Sequence, residues 1–347
     1  MRRLTRRMAL QCVAAALVFP ASAQTPAADG LRARAARRHL LYGCAASTPQ
    51  LADTRFSPVL AREAGVLVAE YEMKRGYIEK KLGVFDFSAG DRLLSFTKAH
   101  DMAFRGHTLC WYRSNPSWLE EAAARKRDTK LLTGYIQSVA GRYKGKVHSW
   151  DVVNEAIEPD DGRADGLRNS FWLKAYGPSY VDMAFHAARA ADPNALLVYN
   201  DYGCETGLAD NDRRRAAVLK FLEGALARRV PIDALGLQCH LRAYGAKVDQ
   251  GKLHKFLDDL KALGLRILVT EHDVSDAGGP SDIAIRDRAV ADTSRRFLDV
   301  VLANSATTAV LTWGLSDRYG KQGRRALPLD KDMRRKPMWQ ALAKAFG

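Results

Sequence analysis

The sequence predicts a single (β/α)8 barrel of the α/β class, and three observations predict it. From Leu40 onward, eight short apolar, β-rich runs alternate with longer stretches of helical spacing. The runs are apolar almost throughout rather than at every second residue, so both faces are buried, as in a parallel sheet. The 347 residues suit one barrel of roughly 250 residues with a leader and loops, and no second domain is required. An open doubly wound sheet is the structural alternative. No G-x-G-x-x-G follows the first run, which weakens the nucleotide-binding forms of that alternative.

The elements justify this reading in order. The first run, Leu40–Ala46, is followed by Val66–Glu72, which leads into Glu70-Tyr71-Glu72-Met73-Lys74. Phe104–Trp111 carries His107 and Trp111, and Val147–Glu155 closes on Asn154 and Glu155. Ala195–Gly203 ends in Asn200-Asp201-Tyr202, and Ala234–His240 in Gln238-Cys239-His240. Arg266–Asp273 ends in Thr270-Glu271-His272-Asp273, and Ala309–Ser316 supplies Trp313 with Asp317 just beyond. Tyr180–Ala191 and Arg213–Arg229 have helical spacing, with Ala191-Asp192-Pro193-Asn194 and Gly264 as stop signals. The longest insertion, Glu158 to Trp172, follows the fourth run. Polar and aromatic residues thus gather at the C-terminal ends of the runs, the rim where barrel enzymes carry their active sites.

Residues 1–23 read differently. A basic start, an apolar run from Met8 to Pro20 and the small-residue site Ala21-Ser22-Ala23 make a signal peptide, too short to span a bilayer. Thr5-Arg6-Arg7-Met8 also resembles a twin-arginine signal, which implies export after folding. Residues 24–347 are then the barrel, secreted or periplasmic, with no membrane partner. Loss of Arg2, Arg3, Arg6 and Arg7 lowers the formal charge from +15 to +11. The cations are spread along helical stretches such as Arg213-Arg214-Arg215, a solvated face rather than a nucleic-acid site, although a polyanionic substrate stays compatible. Cys44, Cys110, Cys204 and Cys239 form no C-x-x-C and have no zinc-ligand spacing, so they read as inert buried thiols; one disulfide remains open.

Two glutamates, Glu155 and Glu271, close the fourth and seventh runs on opposite sides of the barrel mouth. Glycoside hydrolysis needs such a pair, one carboxyl to protonate the leaving oxygen and another to attack carbon or activate water. Asn154 is placed to hold a sugar hydroxyl, and His240 to orient a nucleophile. Trp150 reads as core packing and Asp151 as structural. Trp111 and Trp313 read as sugar-facing, and His39, His100 and His148 as ordinary histidines.

Trp150-Asp151-Val152-Val153-Asn154-Glu155 and Val269-Thr270-Glu271 resemble the acid/base and nucleophile signatures of glycoside hydrolase family 10, the endo-β-1,4-xylanases. Gly106-His107-Thr108-Leu109 with Trp111, Gly166-Leu167-Arg168 through Trp172, Gly236-Leu237-Gln238-Cys239-His240, Thr312-Trp313-Gly314 and Lys336-Pro337 resemble further blocks in the same order. The resemblance covers roughly residues 31 to 345. It implies Glu155 as acid/base, Glu271 as nucleophile, and His240 as the residue orienting it. Glu70, Lys74, His107, Trp111, Asn154, Gln238 and Trp313 match sugar-contacting positions, and Tyr202 a leaving-group-side contact. The implied partner is xylan, acted on by a monomer that needs no cofactor and no metal.

The chain departs from the family pattern at Tyr71, where Asn is usual, at Arg75, where Trp is usual, and at Gly320-Lys321, where Ser-Trp is common. Tyr112-Arg113-Ser114-Asn115 also replaces a His/Gln-containing stretch. Lys321 is therefore expected to place a cation in the glycone side of the cleft and to favour acid-decorated xylan, with Arg75 either joining it there or pointing into a loop. Two further readings stay open: a retaining glycosidase for other or short β-glycosides, and a non-catalytic carbohydrate-binding barrel.

Overall fold

The structure, a computed structural model, describes residues 29–347; the leader expected at 1–23 lies outside them. Eight parallel strands form the barrel: β1 (Leu41–Ala46), β2 (Val66–Ala69), β3 (Ala103–Cys110), β4 (Ser149–Asn154), β5 (Leu196–Asp201), β6 (Ala234–Leu237), β7 (Arg266–Ser275) and β8 (Thr307–Thr312). Each pairs with the next, and β8 closes on β1 from Leu41↔Ala309 to Cys44↔Thr312. A short extension, His240–Arg242, runs beside the end of β7 with His240 opposite Asp273. The apolar runs Val66–Glu72, Ala234–His240 and Ala309–Ser316 outlast their strands, which end at Ala69, Leu237 and Thr312. Past those points the chain leaves the ladder and turns its side chains over the mouth.

Strand alternation divides the core in two. Val66, Val68, Leu196, Val198, Leu268 and Leu311 fill the barrel interior. Leu67, Phe104, Trp150, Leu197 and Leu235 face outward onto the helical layer, with Ile136, Val181, Phe185, Leu257 and Phe297. Tyr180–Ala191 is helical as the spacing predicts. The helix expected at Arg213–Arg229 instead runs Ala209–Ala227, because Asp210 and Asp212 favour a first turn further upstream.

Between β3 and β4 the barrel interior is polar. Arg105, fully buried, donates to Ser149 Oγ at 2.9 Å and pairs with Asp151. A buried guanidinium is costly without a counter-ion, and Asp151 supplies one. The other Asp151 oxygen lies 2.8 Å from His107 Nδ1. On the outward face of β3, a Cβ at Gly106 would stand 2.1 Å from the Trp150 ring, so only glycine lets that tryptophan pack here. Trp150 and Asp151 are thus core and structural residues, as read. The four cysteines of the described residues are buried and free, with no disulfide among them. None of the described helices is long and apolar enough to cross a membrane.

Candidate active site

Ten of the residues singled out by sequence line one cavity of about 310 Å³ at the C-terminal mouth: Lys74, His107, Trp111, Asn154, Glu155, Tyr202, Gln238, His240, Glu271 and Trp313. Glu70 lines a second cavity of about 400 Å³, which continues past Trp313 and includes Tyr71, Asp273, Asp317, Lys321 and Arg324. Trp313 borders both, so the two form one cleft.

Glu155 follows β4 in a left-handed backbone conformation, φ 58°. Such a conformation is unfavourable for a residue with a Cβ and persists only where neighbours hold it. Here its N–H donates to the Asn200 carbonyl at 2.8 Å, and its own carbonyl accepts from Arg168 Nε at 2.8 Å. The turn aims the carboxylate into the cleft. There Oε1 accepts from Gln238 Nε2 at 3.0 Å and Asn154 Nδ2 at 3.2 Å.

Glu271 and Asp273, two residues apart on β7, share the cleft-facing side, while His272 between them turns outward to Ser294 Oγ at 2.8 Å. Glu271 Oε1 accepts from Asn200 Nδ2 at 2.9 Å, and Oε2 lies 3.2 Å from His240 Nε2. His240 Nδ1 lies 3.2 Å from Asp273 Oδ1, which places the imidazole between two carboxylates. Burial pushes Glu271 up, but the His240 hydrogen bond, the charges of His107 and His240 and the Asn200 amide outweigh it, and its pKa is lowered. For His240 desolvation acts downward, and the hydrogen bonds to Asp273 and Glu271 reverse it, holding the imidazole well above its ordinary value. A carboxylate kept ionised beside an imidazolium is suited to nucleophilic attack.

Asn200, on β5, links the Glu271 carboxylate to Asn154, which in turn donates to the Glu155 carboxylate. Its Nδ2 donates to Asn154 Oδ1 at 2.8 Å as well as to Glu271, and its Oδ1 accepts from Thr270 Oγ1 at 2.7 Å. A Cβ at Gly236 of β6 would stand 2.3 Å from that Oδ1, so glycine leaves room for the amide. Sequence reading placed Asn200 on the rim but gave it no role; the signal was a polar residue ending an otherwise apolar strand.

Lys74 is buried, with Nζ 5.1 Å from the Tyr71 ring centroid, 5.3 Å from Trp111 and 5.8 Å from Trp313. Burial lowers its pKa against the opposing charges of Glu271, Glu70 and Glu155. Glu70 accepts from Gln50 Nε2 at 2.9 Å, and burial raises its pKa. The His107 ring meets Trp313 edge-on at 5.4 Å. Tyr202 OH accepts from Arg168 Nη2 at 2.9 Å and lies 3.1 Å from Glu158.

The structure decides between the two readings of Arg75. Arg75 does not enter the cleft: it is 4% exposed, pairs with Glu79 at 2.8 Å, donates to the Leu131 carbonyl at 2.7 Å and lies over the Tyr135 ring at 4.2 Å. Lys74 faces the cleft, and the next residue turns the other way into the helical layer. Lys321 does line the cleft, and Arg324 joins it. Among the described residues neither has a carboxylate within ion-pair distance. Their loop is anchored at both ends, by Lys336 Nζ on Asp317 at 2.7 Å and by Arg325 on Asp287 at 2.8 and 2.6 Å.

A closed parallel barrel with two glutamates at its C-terminal mouth, linked through Asn200 and Asn154, defines the class of barrel hydrolases that act through a carboxylate pair. The model of glycosyl hydrolase family 10 matches residues 30–345, and the chain belongs to that family. It is 34% identical to endo-1,4-beta-xylanase C of Paenibacillus barcinonensis over 82% of this chain and 29% of that one. With endo-1,4-beta-xylanase A of Caldicellulosiruptor sp. it shares 34% identity over 79% of this chain and 41% of the relative. The chain thus spans less than half the length of these two relatives. Against endo-1,4-beta-xylanase B of Thermotoga neapolitana, 30% identical, the match covers 83% of this chain and 82% of the relative. The native xylanase 10B of Thermotoga maritima superposes with a TM-score of 0.81 at 29% identity, over 91% of this chain and 98% of that one.

Proposed function

We propose that the protein is a retaining endo-1,4-β-xylanase in which Glu271 is the nucleophile and Glu155 the acid/base. The observation that carries the reading is the pairing of these two carboxylates in one cavity, one held by His240 and Asn200, the other by Gln238 and Asn154. The xylanase names of its relatives support xylan as the substrate class.

In the first step the Glu271 carboxylate attacks the anomeric carbon while Glu155 gives its proton to the departing glycosidic oxygen. In the second, water attacks the same carbon, Glu155 takes the water's proton, and the Glu271 carboxylate is released. His240 keeps Glu271 oriented and ionised. Asn154, Gln238, Lys74, His107, Glu70, Trp111 and Trp313 bind the sugars on either side of the bond to be cut, and Tyr202 binds the leaving-group side. The chemistry runs on carboxyl groups and water, as a monomer, without metal or cofactor. The basic leader supports export, which suits a polymeric substrate that cannot cross a membrane.

Glu271→Ala should abolish turnover, and azide should restore it with inverted stereochemistry by occupying the place of the missing carboxylate. Wild-type-like hydrolysis by that variant would end the assignment. Reducing-end release from xylan, glucan and mannan separates this reading from a glycosidase for other β-glycosides.

The finer reading is a preference for glucuronic-acid-substituted xylan. The acids of the outer cavity are already engaged, Asp317 by Lys336, Asp273 by His240 and Glu70 by Gln50. Lys321 and Arg324 are left facing the substrate. Lys321→Ala should lower kcat/KM several-fold on the acidic polymer, about 1 kcal/mol for an exposed charge, and spare the neutral one. The preference should weaken with salt, since screening acts over about 8–10 Å at physiological ionic strength. Equal effects on both polymers would leave a plain xylanase.

A further inference from the structure

The inner cavity holds a cation that the mechanism does not use. Arg113, exposed, lines it together with Tyr112, Tyr202 and Glu155. Its guanidinium carbon lies 5.0 Å from the Tyr112 ring centroid, and that of Arg168 lies 4.4 Å from the same centroid. Tyr112 therefore ties Arg113 to the group that pins the acid/base, because Arg168 also holds the Glu155 carbonyl and the Tyr202 hydroxyl.

The other arginines nearby have a carboxylate partner. Arg168 lies 3.1 Å from Glu158, and Arg214 lies 2.7 Å from the other Glu158 oxygen. Among the described residues Arg113 has no carboxylate within ion-pair distance. A proton donor must stand beside the oxygen that departs, and Arg168, which holds the Glu155 carbonyl, also holds Tyr202, the residue read as a leaving-group-side contact. Lys321 and Arg324 lie on the other flank, beyond Trp313.

We infer that Arg113 is a specificity-determining residue on the leaving-group side, binding a carboxylate carried by the sugar just past the cleaved bond, with Tyr112 supporting its guanidinium. The inference rests on the retaining xylanase reading but not on the glycone-side preference assigned to Lys321. A planar guanidinium presents two parallel N–H groups that match the two oxygens of a carboxylate, and a cation over an aromatic face is held in place by it. In the second half-reaction the same side accepts whatever attacks the glycosyl-enzyme. When that is a sugar, its hydroxyl oxygen bonds to the anomeric carbon, the bond to Glu271 breaks, and the hydroxyl proton passes to Glu155.

Transfer from a neutral donor therefore reads the leaving-group side alone. With 4-nitrophenyl β-xylobioside as donor, xylobiose and glucuronic-acid-substituted xylobiose are offered in competition, and the two transfer products are quantified. The full-length enzyme should favour the acidic acceptor several-fold at low salt. Arg113→Ala should bring the ratio near one, and Arg113→Lys should keep part of it, since charge survives while the paired geometry is lost. An even ratio in the wild type, or a preference that survives Arg113→Ala, would overturn the inference. Failure to cleave the donor at all would overturn the xylanase reading, and this inference with it.

Discussion

His240 Nε2 stands 3.2 Å from Glu271 Oε2 while its Nδ1 stands 3.2 Å from Asp273 Oδ1, so one imidazole bridges two carboxylates of the same strand. The bridge sets the charge state of Glu271, the proposed nucleophile. Glu271 titrates below its ordinary 4.5 because the imidazolium and the Asn200 amide outweigh its burial.

Removing the imidazole should move the acidic limb of activity upward. In His240→Ala, Glu271 loses its hydrogen bond and its neighbouring cation, and it keeps the repulsion of Asp273. The acidic limb of the kcat/KM profile on an aryl xylobioside should rise by about one pH unit, equivalent to 1.36 kcal/mol. An unmoved limb would separate His240 from the ionisation of Glu271.

The same bridge has a signature in stability. His240 titrates above its ordinary 6.5 in the folded chain, so its contribution is complete below 6.5 and is lost as pH rises through the folded value. Glu271 acts in the opposite sense, its contribution being present above 4.5 and lost as pH falls through its lowered value. The Tm gap between wild type and His240→Ala should therefore be widest between about pH 4.5 and 6.5 and narrow at alkaline pH. A gap that is flat with pH would contradict this.

Asn200 donates to Glu271 and Asn154 with one amide nitrogen. A hydrogen bond to a charged group contributes about 1.5–3 kcal/mol. Asn200→Ala should thus lower kcat by roughly 10- to 100-fold with little change in KM, because the loss falls on the positioning of Glu271. Gly236→Ala should do the same through displacement of that amide, and steady-state kinetics on xylan would show it. Normal kcat in both variants would remove Asn200 from the site.

Glu155→Ala should spare aryl glycosides in the bond-breaking step more than xylan, since a phenolate leaves without a proton and a sugar alkoxide does not. Hydrolysis of the intermediate should stay slow, because no base is left to activate water. Pre-steady-state burst measurements separate the two steps. Equal loss of the first step on both substrates would remove the acid role.

Arg75 offers the opposite case, a departure from the family pattern with no place in the cleft. Arg75→Met strands the buried Glu79 carboxylate and should destabilise the fold by about 3–5 kcal/mol, read as a fall in Tm. Arg75→Met with Glu79→Leu should recover much of that loss. In neither variant should the ratio of activity on acidic and neutral xylan change. A changed ratio would show that Arg75 reaches the substrate after all.

The barrel was legible because burial on both faces writes near-continuous apolar runs, such as Leu196-Leu197-Val198-Tyr199, that a one-sided sheet would not tolerate. Glu155, Glu271 and His240 were legible because polar residues at strand ends stand out against those runs. The direction of Arg75 was not, since it depends on Leu131, Tyr135 and Trp172, which reach it only through the packing of later helices. Arg113 was hidden for the same reason: a loop residue's facing is decided by neighbours such as Tyr112 and Arg168, not by periodicity. Asn200 was visible as a polar strand end, but its partners come from β4 and β7, and only barrel closure brings them together.

The loop bearing Lys321 and Arg324 is clamped at its two bases by Asp317–Lys336 and Arg325–Asp287. A segment fixed at both bases can change its tip without disturbing the glutamates, which answer to other strands. The span 318–324 is therefore a detachable stretch of cleft wall: grafting or drift can rewrite its side chains while Glu155 and Glu271 beneath keep their registration.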